Sequence, residues 1–220
     1  MDKLTLIALD GPSGAGKSTT AKRLAEALGW EYLDTGAMYR ATALAMTRAG
    51  VTLEDRAGLE RLLAGLRLEQ RGTRILLNGE DVSAAIRSQE VTKLVSPISA
   101  DARIREVLVE QQRAIGARGR FVVDGRDIGT VVFPHACCKV FLTATLDARA
   151  ERRFREMELK GVETTLAEVR ADLARRDHAD STRAVSPLRK AEDAWELDNG
   201  HLEIHEVVAA VVAHHQQHAP

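Results

Sequence analysis

Apolar residues along this chain follow two rhythms that take turns. Residues 4–9 form a nearly continuous apolar run, the pattern of a strand covered on both faces. Residues 17–28 read as a helix, with Gly29 placed to end it. The alternation then repeats. A short strand is predicted at 31–33 and a helix at about 37–49, closed by Gly50. Short apolar strands follow at 121–123 and 139–142. Helices are predicted at about 147–160, closed by Gly161, and from Thr165, where Thr165 and Glu168 form a T-x-x-E capping box. A strand at 195–197 and a helix at 203–217 complete the series. Such alternation predicts the α/β class, a parallel sheet flanked by helices.

One segment breaks this rhythm. Strand-like pieces at 66–70, 74–77 and 81–82 are separated by Arg71-Gly72-Thr73 and Asn78-Gly79-Glu80. Asn-Gly between such pieces is the strongest short hairpin signal. A small antiparallel sheet is therefore expected as an insert, either a plain surface hairpin or a clamp that moves with substrate.

The junction between the first strand and first helix carries chemistry. Gly11-Pro12-Ser13-Gly14-Ala15-Gly16-Lys17-Ser18 fits G-x-x-x-x-G-K-[ST], and Thr19 follows inside the helix. The glycines let successive N–H groups turn inward around a polyphosphate, and the helix N-terminus points its positive end at the same place. Lys17 is expected to reach the β/γ-phosphates of a nucleoside triphosphate, and Ser18 to offer a hydroxyl to Mg²⁺. The motif leaves the phosphate acceptor open.

Two other strand ends fall on the same carboxyl rim of a parallel sheet. After the second strand, Thr35 is placed as a helix N-cap, and Arg40 just inside that helix can hold a second phosphate. After the third, Asp124 sits where a P-loop enzyme needs a carboxylate for Mg²⁺, directly or through water. Arg126 and Asp127 then project toward an acceptor. Arg149, Arg152 and Arg153 share one predicted helix face. That face is either a solvated mixed-charge surface or a lid whose arginines neutralise the transferred phosphoryl group. Further on, Arg176 and Asp180 are spaced to pair, a contact that spacing alone leaves as either a surface salt bridge or a functional one.

Composition narrows the picture without changing it. The 220 residues are 45% hydrophobic and 29% charged, a globular balance, with a formal net charge of −1 that gives no argument for nucleic-acid binding. A single domain is expected. No apolar stretch nears the roughly 18 residues needed to cross a bilayer, and strand pattern starting at Leu4 leaves no room for a signal peptide. A cytoplasmic protein is expected. Adjacent Cys137 and Cys138 lack C-x-x-C spacing and are read as structural thiols on a strand. His201, His205, His214, His215 and His218 are read as an exposed tail, since no other ligands complete a metal set.

Taken together, DGPSGAGKST (10–19), LDTGAMYR (33–40), NGEDVS with IRSQEV (78–91), VVDGRDIGTVVFP (122–134) and RDHADSTRAVSPL (176–188) resemble the bacterial cytidylate kinase family. The resemblance runs from about Leu4 to Leu197. It implies a nucleoside-monophosphate kinase core: a three-layer P-loop α/β fold with an acceptor-binding insert at 66–97 and a helical lid at 147–183. It implies transfer of phosphate from ATP to CMP or dCMP with Mg²⁺. A monomer with no nucleic-acid or membrane partner is expected. By the same resemblance Ser96, Arg105 and Asp127 read cytosine, and Arg176 and Asp180 lie near the acceptor ribose. Arg40, Arg126 and Arg183 hold its phosphate, and Thr35 stands where many relatives have Ser. A carboxylate that accepts and a guanidinium that donates suit a base with an exocyclic amine and a carbonyl; uracil would set a carbonyl against Asp127. Two rival classes remain at this stage. One is a kinase for another small acceptor such as UMP or a sugar acid, and the other is a nucleotide-switched binding module without an acceptor site.

Overall fold

In the computed structural model, which describes residues 4–218, the first strand β1 (Leu4–Asp10) runs through the centre of the molecule. Leu6, Ile7, Ala8 and Leu9 are wholly buried, but they serve different faces. Leu6 and Ala8 pack into one apolar cluster, Ile7 and Leu9 into another on the opposite side. That is the period-two alternation of a strand with helices on both faces. Each such Leu or Ile contributes about 1.5–3 kcal/mol by leaving water.

The chain continues through α1 (Lys17–Leu28), β2 (Glu31–Asp34), α2 (Thr35–Ala49) and α3 (Arg56–Gly65). The short strands β3 (Leu68–Arg71), β4 (Arg74–Leu77) and β5 (Glu80–Asp81) come next, then α4 (Gln89–Ala100) and α5 (Ala102–Gly116). The remainder is β6 (Phe121–Asp124), β7 (Ala136–Thr143), α6 (Leu146–Leu159), α7 (Leu166–Thr182), β8 (Trp195–Asp198) and α8 (Ile204–His218). Five strands form one parallel sheet in the order β2-β6-β1-β7-β8. β3, β4 and β5 form a separate antiparallel sheet. The α/β class and the insert agree with the sequence expectations. None of the described helices is long and apolar enough to cross a membrane.

The register sets the chemistry of the rim. Asp34 and Leu9 lie on either side of Asp124, and β1, β2, β6 and β8 each end in aspartate. The parallel sheet therefore gathers carboxylates at its carboxyl edge, beside the phosphate loop.

Several local expectations need correction. The helix expected at 37 starts at Thr35, because Asp34, not Thr35, is its cap: Asp34 Oδ1 accepts from the Ala37 N–H at 2.8 Å. The strand expected at 66 starts at Leu68, since Leu66 is spent ending α3. The third strand of the insert is Glu80–Asp81 rather than 81–82. Asn78 and Gly79 form its two-residue turn, both at positive φ as that turn requires. Helices α3, α4 and α5 had no counterpart in the sequence reading. Pro97 stands inside α4, and the buried face of α5 carries Arg105 and Gln112 among Ile104 and Leu108, so the apolar period is blurred. The C-terminal histidines are not all exposed. His215 is buried with its ring edge-on to Trp30, and His214 stacks on Trp195. His201 and His205 are exposed, and the side chain of His218 lies outside the described ones. Cys137 and Cys138 are both buried on β7.

Gly11 shows how tightly the loop is pressed to the sheet. It sits at φ +148°, and a Cβ there would lie 2.0 Å from the carbonyl oxygen of Leu142 on β7. Gly11→Ala is expected to lower the melting temperature by about 6–12 °C, from backbone strain plus displacement of β7. An unchanged melting curve in calorimetry would contradict this packing.

Candidate active site

The loop between β1 and α1 bends through Gly14 at φ +75° and Gly16 at φ +83°, a course open to glycine at little cost. Lys17 is buried, and its Nζ donates to the Pro12 carbonyl at 2.7 Å, folding the side chain back along the loop. Burial holds its pKa well below the usual lysine range, with the Arg126 charge as the next cause. The Ser18 hydroxyl donates to Asp124 Oδ2 at 2.7 Å, and the Tyr32 hydroxyl donates to Oδ1 at 3.0 Å. Burial pushes the Asp124 carboxyl up, with the Asp34 charge second, against the lowering pull of Ser18, Lys17 and Tyr32. The Thr35 hydroxyl is used internally, donating to the Asp124 carbonyl at 2.7 Å. Ala15 is buried, Pro12 is half-buried, and Thr19 is exposed on the first turn of α1.

Across the rim, arginines and carboxylates from distant segments interlock. Asp127 accepts from Arg105 of α5 and, at 3.3 Å, from Arg183 just beyond α7. Both guanidiniums also reach the Ser99 carbonyl, at 3.3 and 3.4 Å. The Arg105 guanidinium carbon lies 5.7 Å from the Tyr39 ring centroid. Ser96 is half-buried one turn before Ser99, whose hydroxyl donates to the Ser96 carbonyl at 3.0 Å. Ser96, Arg105 and Asp127 are thus brought to one corner, and Arg183 joins them there.

Arg126 donates from Nε to Asp180 at 2.8 Å and from Nη2 to the Ser13 hydroxyl at 2.9 Å. Asp180 is therefore taken by Arg126, and the expected Arg176–Asp180 pair does not form; Arg176 is paired at 4.0 Å with Asp172. The reason is reach: Arg126 approaches from the β6 loop along the buried side of α7, whereas Asp172 is half-exposed one turn earlier. Arg40 donates to the Thr92 hydroxyl at 2.7 Å and the Ile86 carbonyl at 3.3 Å. Its pKa is lowered to about 10, first by burial and then by the charges of Arg176, Arg87 and Arg153. Like charges held this close to Arg40 make the place attractive to an anion.

The three arginines of α6 diverge instead of presenting one cluster. Arg149 is buried against the phosphate loop, donating to the Ser13 carbonyl at 2.7 Å and Asp177 at 2.5 Å. Arg152 binds the Asn199 and Gly200 carbonyls at 2.5 and 3.1 Å. Arg153 is exposed and pairs with Glu156 at 2.9 Å. The divergence follows from what each meets: carbonyls of the loop, carbonyls after β8, or only a neighbour on its own helix.

Some of the residues at this site escaped the sequence reading. Asp10 ends β1 and accepts from the Ile128 and Gly129 N–H groups at 2.8 and 2.7 Å, fixing the turn that follows Arg126 and Asp127. Asn199, just beyond β8, donates to the Ala15 carbonyl at 2.9 Å. Tyr32 and Asp177 contact Asp124 and Ser13. For Asp10 and Asn199 a signal existed, since Asp10 directly follows a predicted strand and Asn199 stands two residues past another, both on the rim.

Comparison with known proteins sharpens the picture. A family profile described as cytidylate kinase matches residues 7–217. The chain belongs to the cytidylate kinase family. The cytidylate kinase of Carboxydothermus hydrogenoformans is 49% identical over 210 residues, covering 94% of this chain and 95% of that one. That of Anoxybacillus flavithermus is 46% identical, covering 96% of each. In Synechocystis sp. a bifunctional pantoate ligase/cytidylate kinase is 46% identical over 96% of this chain and 42% of its own length. Among solved structures, a gluconokinase from Sinorhizobium meliloti covers 99% of this chain and 94% of its own at a TM-score of 0.51 and 14% identity, a likeness of fold alone.

Asp10 gives the site a pH signature that can be measured without substrate. Burial raises its pKa to about 6, against the two N–H groups and Lys17 that lower it. The folded chain thus keeps this proton where the unfolded chain, at about 4, has lost it. Its contribution to stability is full below pH 4 and is lost as pH rises through 6. Relative to Asp10→Asn, the wild-type chain is expected to lose about 2–3 kcal/mol between pH 4 and 7 in urea titrations. A difference between the two that stays constant with pH would contradict this.

Proposed function

We infer that this chain transfers the γ-phosphoryl group of ATP to CMP or dCMP, giving ADP and CDP or dCDP. One observation carries the reading: in a chain of the cytidylate kinase family, a single rim bears both the phosphate loop and the Arg105–Asp127–Arg183 array. The acceptor is a phosphate oxygen that is already anionic, so no side chain need attack or take up a proton. Catalysis then rests on alignment and charge.

The roles follow from position. Residues 11–19 cradle the ATP phosphates, and Lys17 swings from Pro12 to the β/γ-phosphates. The Ser18 hydroxyl and Asp124 carboxylate are hard oxygen donors that suit Mg²⁺, which is held through few protein groups and completed by substrate phosphates and water. Held there with ATP, Mg²⁺ would neutralise charge that develops on the β- and γ-phosphates. Arg40, Arg126 and Arg183 are assigned to the acceptor phosphate, Arg176 and Asp180 to its ribose, and Ser96, Arg105 and Asp127 to the cytosine edge, where Arg183 also braces Asp127. The segment 66–97 serves as the acceptor-binding insert. The α6–α7 pair, 147–183, serves as a lid whose Arg152 and Arg153 meet the transferred group, while Arg149 works on the loop.

Incubation with ATP, Mg²⁺ and each nucleoside monophosphate is expected to yield CDP and ADP in equal amounts from CMP, with UMP a poor acceptor. A preference for UMP or for a non-nucleotide acceptor would overturn the reading. Arg126→Ala is expected to lower kcat/KM for CMP by roughly 100-fold, with a much smaller loss of ATP affinity. Equal losses toward both nucleotides would contradict its role. Asp127→Asn replaces an acceptor oxygen with an N–H donor that can serve the uracil carbonyl. The CMP over UMP preference is expected to fall by about tenfold or more in paired kinetics, and an unchanged ratio would remove Asp127 from base reading.

A further inference from the structure

Every polar group of Ser13 is engaged by a side chain from outside the phosphate loop. Its N–H donates to Asp177 Oδ1 at 2.8 Å, its carbonyl accepts from Arg149 Nη1 at 2.7 Å, and its hydroxyl accepts from Arg126 Nη2 at 2.9 Å. Asp177 Oδ2 takes the same Arg149 nitrogen at 2.5 Å, so carboxylate, guanidinium and peptide form a closed ring. Ser13 is 1% exposed and Arg149 6%. The ring is backed by packing: a Cβ on Gly14 would already touch Arg149 Cβ and Leu173 Cδ2 at 3.4 Å, and Leu173 shares a small core with Ala150 and Val169.

We propose that Asp177 is a positioning residue of this kinase, clamping the base of the α6–α7 pair onto the phosphate loop so that the loop's N–H groups stand ready for ATP. The proposal rests on the kinase reading above and deepens it. Asp177 touches no substrate in this assignment; it acts through Ser13 and Arg149. Its two oxygens do separate work. One satisfies a backbone N–H that would otherwise be buried without a partner, and the other neutralises a guanidinium that would otherwise be a buried lone cation. Loss of either frees the loop to turn at Ser13, and a preformed phosphate cradle depends on its donors being fixed before the ligand arrives. Ser13 itself also accepts from Arg126, so the clamp joins the donor loop to the acceptor side through one hydroxyl.

The test uses the full chain and separates ATP from CMP. Asp177→Ala removes both contacts; Asp177→Asn keeps an acceptor for the Ser13 N–H but not the charge facing Arg149. Dissociation constants for ATP and for CMP are measured separately by calorimetry, alongside melting temperatures. Asp177→Ala is expected to weaken ATP roughly tenfold while CMP changes by less than about threefold, with Asp177→Asn between it and wild type. Adding Arg149→Ala to Asp177→Ala is expected to cost little more, because the ring is already open. Unchanged ATP affinity in both Asp177 variants, or ATP and CMP losses of equal factor, would overturn the proposal. If Asp177→Ala is unfolded at the assay temperature, Asp177→Asn decides by the same criterion. Failure of the kinase reading is seen elsewhere, in wild-type chain that forms no CDP.

Discussion

A guanidinium removed from water costs several kcal/mol unless a carboxylate stands within hydrogen-bond reach, and this cleft is organised around that constraint. Arg105 and Arg183 share Asp127, Arg126 takes Asp180, and Arg149 takes Asp177. No one of these pairs is local in sequence. They tie the β6 loop to α5 and α7, and α6 to α7, so the elements that carry the site are held by the charges that serve it. Such pairs add little net stability against apolar replacements, yet breaking one leaves a buried charge alone. The price of holding so many cations is met because the same cations then face anionic substrates.

The phosphate loop obeys a matching constraint of space. Gly11 lies against the Leu142 carbonyl, Asn199 holds the Ala15 carbonyl, and Ser13 is bound on all sides. Lys17 is parked on the Pro12 carbonyl and Ser18 on Asp124, so each polar group is already placed on the rim beside the phosphate loop. Donor and acceptor grips are therefore built from the same rim, and a rim is what a parallel sheet provides.

Much of this was legible in the sequence because it depends on short-range pattern. The two-sided burial of β1, the glycine loop, the Asn-Gly turn and the capping box at Thr165 are each encoded within a few residues. The rim residues Arg40, Asp124, Arg126 and Asp127 could be picked out because strand ends fix them. What escaped is long-range or disguised. Spacing offered Asp180 to Arg176, but only the packing of α7 on the β6 loop gives it to Arg126. Asp34 and Thr35 were both able to cap α2, and the choice was made by Thr35 turning inward to the Asp124 carbonyl. Helix α5 hid because its buried face includes Arg105 and Gln112, polar residues placed where a core pattern calls for apolar ones. The local rule failed where the site needs a cation.

Two anion grips facing each other across the sheet edge, one for a triphosphate and one for a cytosine monophosphate, are what every assigned role depends on. A crystal structure with a bisubstrate analogue, adenosine and cytidine joined through their phosphates, would show whether both grips close on one ligand. The phosphate chain is expected to run from Lys17 to Arg126 and Arg40, with the cytosine amine against Asp127. An analogue whose cytidine end lies away from Asp127 and Arg105, or whose phosphates leave Arg126 on Asp180 and Ser13 alone, would contradict it.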